Sequence, residues 1–94
     1  GDTMPACRSS GKLTADTLVL TGSARVASFF VQESAGSTAQ IAIYDNTAAS
    51  GAEIARVVLS AGDKIDVDLH GVMVTNGIYF KRVSGAVNAF INFY

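Results

Sequence analysis

The sequence predicts an all-β protein: a small antiparallel β-sandwich, jelly-roll-like, with an extended N-terminal arm. Short segments in which apolar and polar residues alternate recur along the chain at roughly ten-residue spacing, and glycine marks almost every turn between them. Alternation with a period of two is the pattern of half-buried strands. Because no segment of helical length and period competes with it, we expect roughly seven to nine short strands, as in a sandwich or a small barrel.

The composition limits both the core and the kinds of partner. With 94 residues the chain makes one domain, and folding removes only about 60–65% of its surface from water. Charged residues make up 16% of the chain, against about 25% in an average domain. We therefore expect a surface of small polar residues that a neighbouring subunit covers, or, alternatively, a small sandwich that simply carries little charge. The net charge of −1, with both signs scattered, indicates neither nucleic acid nor an anionic membrane as a partner.

A single cysteine, Cys7, excludes a disulfide within the chain, so stability is expected to come from packing or assembly. A reactive thiol beside Arg8 is the functional alternative. No apolar run approaches the roughly 20 residues that cross a bilayer. Since no charged stretch followed by an apolar one opens the sequence, no signal peptide is expected.

The first segment, residues 1–16, has no sustained period. It contains Pro5, Gly11 and several hydroxyl residues, so we expect an extended arm or a loosely attached edge that is mobile in solution and orders against a partner. Residues 17–94 then form the sandwich domain, and its first strand is expected at residues 17–21, where an apolar β-prone run ends at a glycine.

Residues 24–45 are expected to form a central hairpin. Phe29 and Val31 share one parity in its first half, and the second half alternates in the same way. Between the halves, residues 34–37 supply the small, flexible residues that a tight reversal needs, so the two strands are expected to pair antiparallel.

The next two strands are expected at residues 53–60 and 63–70, after a polar loop at residues 46–51. A helix is the alternative for the first of them, but two consecutive valines and the flanking glycines favour a strand. The second has the cleanest alternation in the chain. The inward-facing residues of the two strands are expected to be Ala55, Val57, Leu59, Ile65, Val67 and Leu69.

The chain is expected to end in a hairpin and a last strand. Asn76-Gly77 is the dipeptide most typical of a two-residue hairpin turn, and it is expected to join strands at residues 72–75 and 78–83. A final strand at residues 86–94 follows another turn and packs into the sheet. Its inward face is expected to be Val87, Ala89, Ile91 and Phe93.

No group of residues predicts catalysis, a metal site or a cofactor. Asp63, Asp66 and Asp68 offer oxygens of the kind that calcium binds, but their spacing matches no calcium loop, and Lys64 and His70 offset their charge. A solvated polar face is the better interpretation. His70 lies in no nucleophile motif. One histidine and one cysteine cannot make a structural zinc site, and the glycines form no phosphate-binding pattern.

Four aromatic residues have the parity opposite to the inferred core: Tyr44, Tyr79, Phe90 and Tyr94. Three interpretations are open for these outward rings. They contact other parts of the same chain, they form a subunit interface, or they form a stacking platform for a ligand such as a sugar. The sequence contains no tryptophan, the residue most often used for sugar stacking.

Several segments resemble the small β-sandwich virion proteins of tailed bacteriophages. They are GSARVASFFV at residues 22–31, AQIAIYDN at residues 39–46, GVMVTNGIYF at residues 71–80 and the closing AFINFY. The resemblance covers residues 18–94 and rests on structural rather than catalytic motifs.

The resemblance implies a capsid decoration, or cement, protein on the outer surface of a virion. Its partners would be the major capsid protein and copies of itself, commonly as a trimer, without catalytic or cofactor-binding residues. A carbohydrate- or receptor-binding module of a fibre or tail, using Tyr44, Tyr79 or Tyr94, is the alternative function. The candidate interface residues are Met4, Pro5, Arg8, Lys12, Tyr44, Tyr79, Phe90 and Tyr94.

Overall fold

The computed structural model of the protein describes residues 8–94, which form two antiparallel four-stranded sheets packed together. The first sheet has the strand order β1-β8-β3-β6 and the second has the order β2-β7-β4-β5. The predicted all-β sandwich is therefore confirmed. The strands are β1 (Arg8–Ser9), β2 (Thr17–Thr21), β3 (Ala24–Glu33), β4 (Ala39–Asp45), β5 (Ala52–Leu59), β6 (Lys64–Val74), β7 (Gly77–Ser84) and β8 (Val87–Phe93).

The strand pairs are nested in the sequence. β4 pairs with β5, β3 with β6, β2 with β7 and β1 with β8, all antiparallel. The chain therefore runs out and back like one long hairpin whose tip is the β4–β5 turn. This long hairpin is folded over so that most consecutive strands lie in different sheets. Within each sheet the two nested couples are joined by a central pair, β3–β8 in the first sheet and β4–β7 in the second.

The core lies between the sheets and is filled by the inward parity of each strand. On β8 the predicted inward residues are all buried, and on β5 Leu59 is buried while Ala55 and Val57 are half-buried. The strands predicted at residues 17–21 and 53–60 are confirmed, the latter as a strand and not a helix. The largest fully buried side chains are Phe80, Ile41, Ile43, Ile78, Ile91, Val26, Val31, Val74 and Val87.

The hairpin predicted at residues 24–45 is wrong, because β3 and β4 lie in different sheets. Both sides of β3 are already occupied, by β6 and β8, so residues 34–38 cross from one sheet to the other. The crossing is held by the carboxylate of Glu33, which accepts hydrogen bonds from the backbone N–H of Ala35 at 2.6 Å, of Gly36 at 2.9 Å and of Gly62 at 2.8 Å.

The hairpin predicted at Asn76-Gly77 is also wrong, because β6 and β7 lie in different sheets. The Asp45 carboxylate holds this second crossing, since it accepts hydrogen bonds from the backbone N–H of Asn76 at 2.9 Å and of Thr75 at 3.1 Å. Gly77 is required by close packing. A β-carbon there would lie 3.0 Å from the Asn46 carbonyl oxygen and nearer still to another backbone oxygen.

Strand β6 continues through Gly71, where the sequence suggested a break. Residues 69–71 form a bulge opposite Ala27, because Val26 pairs with Val72 and Ser28 pairs with Asp68. The inward parity of β6 is as predicted, but Val67 and Leu69 are only half-buried and Ile65 is 37% exposed. Its position at the edge of the sheet explains this, since a neighbouring strand covers it on one side only.

The N-terminal segment differs from the predicted arm over residues 8–16. β1 pairs with β8, and Leu13 is only 4% exposed in the core. Leu13 and Ala89 exchange two backbone hydrogen bonds of 2.7 and 2.9 Å. A single buried leucine produces no periodicity, which is why the sequence pattern did not indicate this attachment. Residues 1–7, with the predicted Met4 and Pro5 contacts and Cys7, lie outside the described residues.

Candidate interaction surfaces

The four outward-facing aromatic residues do not form one platform. Tyr44 and Tyr79 lie on the outer side of the second sheet, whereas Phe90 and Tyr94 belong to the outer side of the first. The core separates the two pairs. Tyr44, Tyr79 and Phe90 are half-buried, and Tyr94 is 41% exposed. The structure therefore divides the predicted aromatic residues among three surfaces, which we call the tyrosine face, the phenyl face and the apolar corner.

The tyrosine face consists of Tyr44 and Tyr79 with their neighbours on β2, β5 and β7. The two tyrosines are direct cross-strand partners, and Leu18 is the next partner of Tyr79. Arg56 donates a hydrogen bond from Nη2 to the Tyr44 hydroxyl at 3.4 Å and another to Glu53 Oε1 at 2.7 Å. The hydrogen bond from Arg56 to Glu53 raises the pKa of the guanidinium.

A second ion pair borders the same face. Lys81 Nζ lies 2.8 Å from Asp16 Oδ2, and the backbone N–H of Arg82 donates to Asp16 Oδ1 at 2.9 Å. The hydrogen bond with Lys81 lowers the pKa of Asp16 and raises that of Lys81. Carboxylates of the same chain thus neutralise Arg56 and Lys81. The hydrogen bond from Arg56 to Tyr44 is a contact within the chain, which is the first of the three interpretations, for that ring.

The phenyl face is the outer side of β3, β6 and β8. The rings of Phe30 and Phe90 are cross-strand partners with centroids 6.3 Å apart and planes inclined by 40°. Asp66 is the partner of Phe30 on the other side. One step along the strands, the Asn92 side-chain amide donates a hydrogen bond to the Ser28 hydroxyl at 3.1 Å. The face therefore has two aromatic rings at its centre with amide, hydroxyl and carboxyl groups around them.

An open depression adjoins the phenyl face. It is lined by Ala27, Ser28, Asp66 and Asp68. The irregular pairing at Ala27 and the bulge of β6 lie at its end. Bulges bend a strand and redirect side chains, so this irregularity gives an otherwise even sheet surface a concave part.

The apolar corner lies at the other end of the first sheet. Met73 is 59% and Tyr94 41% exposed. Arg25 pairs with Met73 and exchanges two backbone hydrogen bonds with Tyr94, so it lies between them. With Ser23 and Ala24, these residues line a shallow, mainly apolar depression of about 360 Å³. The Tyr94 hydroxyl covers Gly71, where a β-carbon would lie 2.9 Å from it.

The remaining predicted residues take separate places. Arg8 lies in the edge strand β1 and Lys12 follows that strand, and both are exposed. Asp63 accepts a hydrogen bond from the backbone N–H of Ser60 at 3.0 Å and so serves its own turn, whereas Asp66 and Asp68 point outwards. The His70 side chain is 85% exposed. Within residues 8–94, no group of three or more histidine, cysteine, aspartate and glutamate side chains is placed to hold a metal ion.

Sequence reasoning missed Phe30, Glu33 and Asp45. Two consecutive aromatic residues on a strand must face opposite sides, so Phe29-Phe30 already contained the information that one ring points outwards. For Asp45 no sequence pattern was available, because its partners Thr75 and Asn76 are distant in the chain. Glu33 has local partners in Ala35 and Gly36, but its bond from Gly62 joins distant segments.

Comparison of the chain with protein families, with characterised proteins and with solved structures finds no significant match. The described residues contain no helix long and apolar enough to span a membrane.

Proposed function

We propose that this protein is a non-enzymatic structural protein of a phage virion, a decoration or cement protein that binds the outer capsid surface. Its partners are the major capsid protein and further copies of itself. Two lines of argument support the proposal: the resemblance of residues 18–94 to small virion sandwiches, and the exposed apolar corner.

The strand order supports a jelly-roll assignment. Eight strands paired as nested antiparallel couples and distributed over two four-stranded sheets match the connectivity of a double-sheet jelly roll, an architecture used by viral capsid domains and by lectins. This is an analogy of fold, and a fold hosts many functions. It is consistent with both the virion proposal and a ligand-binding module, so the choice depends on the surface.

The apolar corner is the observation that carries the proposal. Met73 is 59% exposed although methionine is usually buried, and Tyr94 extends the same patch. Contiguous exposed apolar side chains mark surfaces that bind other proteins. Methionine and tyrosine are enriched in the centres of such interfaces. Arg25 at the middle of the patch adds a donor that a protein partner can use.

Native mass spectrometry over a range of concentrations tests self-association. We expect a trimer for the natural protein and a shift towards monomer for Met73→Lys, because a buried lysine in an interface costs binding energy. Val58→Lys is the matched control. Val58 is 71% exposed on β5 of the other sheet, so its substitution leaves the apolar corner unchanged. A strict monomer at all concentrations contradicts the trimer.

Binding to capsid shells tests the decoration role directly. Shells assembled from the coat protein encoded in the same genome are mixed with the protein and sedimented. We expect the natural protein and Val58→Lys to sediment with the shells and Met73→Lys to stay in the supernatant. If none of the three sediments, or if the genome encodes no coat protein, the decoration role is rejected.

A further inference from the structure

We propose that the phenyl face binds a neutral carbohydrate, with Phe30 and Phe90 stacking against a sugar ring and Asp66, Asp68, Ser28 and Asn92 bonding its hydroxyls. This site is distinct from the apolar corner and does not depend on the decoration role. It also differs from the tyrosines that the sequence suggested for a sugar site.

The two phenyl rings supply the apolar part of the site. Phe30 and Phe90 alternate with the buried residues of β3 and β8, so their rings are fixed on the outer side and are half-buried. Their centroids lie 6.3 Å apart, which makes one apolar patch rather than two separate rings. The C–H side of a pyranose is apolar, and binding sites combine aromatic walls with a few well-placed polar groups.

The polar groups lie on one flank of the rings. Asp66 is the direct cross-strand partner of Phe30, and Asp68 that of Ser28, so their Cβ atoms are about 5 Å from those partners. Among residues 8–94, no lysine or arginine lies within ion-pair distance of Asp66 or Asp68. Asp68 Oδ1 accepts a hydrogen bond from the backbone N–H of His70 at 2.8 Å and lies 3.6 Å from His70 Nδ1. The Asp66 carboxylate and the second oxygen of Asp68 are left to accept hydrogen bonds, and charged acceptors bind hydroxyl donors more strongly than neutral ones.

Donors are provided as well. The Asn92 amide spends one N–H on the Ser28 hydroxyl at 3.1 Å, and an amide has a second N–H and a carbonyl oxygen left. Neighbouring hydroxyls on a sugar ring both donate and accept. The alternating carboxylate, hydroxyl and amide groups along β6, β3 and β8 match that requirement.

The size and charge of the face favour a small neutral ligand over a second copy of the chain. From β8 to β6 the face spans about 10 Å, and from Ser28 to Gln32 about 13 Å. That is on the order of 130 Å², well below the roughly 800 Å² per partner of a standard protein interface. Among the described residues, neither Asp66 nor Asp68 forms an ion pair with a lysine or arginine, so the two carboxylates disfavour anionic sugars.

The depression at the end of the face helps to fix the geometry. It is lined by Ala27, Ser28 and the two aspartates, and it lies beside the irregular pairing of β3 with both its neighbours. Since these groups stand on paired strands rather than on loops, their positions are held by the sheet before any ligand binds.

The test is an NMR titration of the 15N-labelled protein with neutral sugars: glucose, galactose, mannose and N-acetylglucosamine, and their short oligomers. We expect at least one of them to shift the amide signals of residues 28–32, 64–68 and 88–92 in a saturable manner. Phe90→Ala and Asp66→Asn should each weaken that binding by about tenfold. Both positions lie on the surface of the sheet, and an unchanged spectrum elsewhere verifies the fold.

Tyr79→Ala is the matched control, because it removes an outward-facing ring from the opposite sheet, and it should leave the affinity unchanged. Absence of shifts with every sugar overturns the proposal. Signals of this face that shift with protein concentration in the absence of sugar also overturn it, because they assign the face to contacts between copies of the chain. The proposal is overturned as well if Tyr79→Ala abolishes the sugar-dependent shifts and Phe90→Ala does not. None of these outcomes bears on capsid binding by the apolar corner.

Discussion

Replacing Leu13 by alanine tests whether the N-terminal segment belongs to the folded domain. Leu13 is 4% exposed and is bonded to Ala89 through its backbone alone, so the substitution removes the buried side chain and keeps the hydrogen bonds. A buried leucine replaced by alanine costs about 2–5 kcal/mol. Leu13 lies outside the named strands and is joined to β8 by an isolated bridge, so the segment around it can relax and we expect about 2–3 kcal/mol.

Urea unfolding measures this directly. With a slope of about 1 kcal/mol per molar urea for a chain of this size, the midpoint should fall by about 2–3 M. The melting temperature should fall by about 10–20 °C, at about 4–8 °C per kcal/mol. Lys12→Ala, at the exposed adjacent position, is the control and should stay within about 0.5 kcal/mol of the natural protein. If Leu13→Ala and Lys12→Ala have the same urea midpoint, residues 8–16 behave as a loose arm and the packing argument fails.

Three further predictions follow from the crossings and the N-terminus. Gly85 and Gly36 have similar positive φ angles, 74° and 79°, but a β-carbon at Gly85 would collide with the Thr38 carbonyl oxygen and the Ala39 backbone, whereas the space at Gly36 is open. In urea unfolding, Gly36→Ala should lower the free energy of unfolding by about 1–2 kcal/mol and Gly85→Ala by about 2–5 kcal/mol. Equal losses for the two variants would contradict the close approach at Gly85. Hydrogen bonds from the backbone, first that of Gly62, lower the pKa of Glu33 below its ordinary 4.5, so the stabilisation that Glu33 gives is complete above pH 4.5 and is lost as the pH falls through the lower pKa of the folded state. Glu33→Gln should therefore be less stable at neutral pH and should lose less unfolding free energy on acidification. Parallel pH profiles of the variant and the natural protein would refute this role. Removing residues 1–7 leaves β1 to β8 intact and should weaken sedimentation with capsid shells without changing the urea midpoint, while full retention on shells would show that this segment is not part of the contact.

The period-two alternation was enough to predict the fold class and the position of most strands. The alternation shows which residues of a strand face inwards, and this depends only on the sequence of that strand. It did not predict which strands are neighbours. The residues at 34–37 and Asn76-Gly77 are good turn formers, and the chain does reverse there, but whether a reversing chain rejoins the same sheet depends on distant partners. At both places a carboxylate, Glu33 or Asp45, fixes the crossing.

The candidate sites were less predictable than the fold. Parity placed Tyr44, Tyr79, Phe90 and Tyr94 on outer surfaces, which the structure bears out, but parity does not say which of two sheets carries a residue. The polar side chains next to these outward rings, Asp66 beside Phe30 and Arg56 beside Tyr44, come from other strands of the sequence. Only the assembled sheets bring them together.

The nested order of the strand pairs also sets the order in which the chain can fold. β4 and β5 are joined by a short turn and can meet early, whereas Arg8 pairs with Phe93, and such distant contacts carry a larger loop-closure entropy. We therefore expect pairing to proceed outwards from the β4–β5 tip, at the slow rates of folds dominated by non-local contacts. On the ribosome, the first strand has no partner until the last one has emerged. For that interval Leu13 and the inward side of β3 are without cover, and the nascent chain is most exposed to aggregation then.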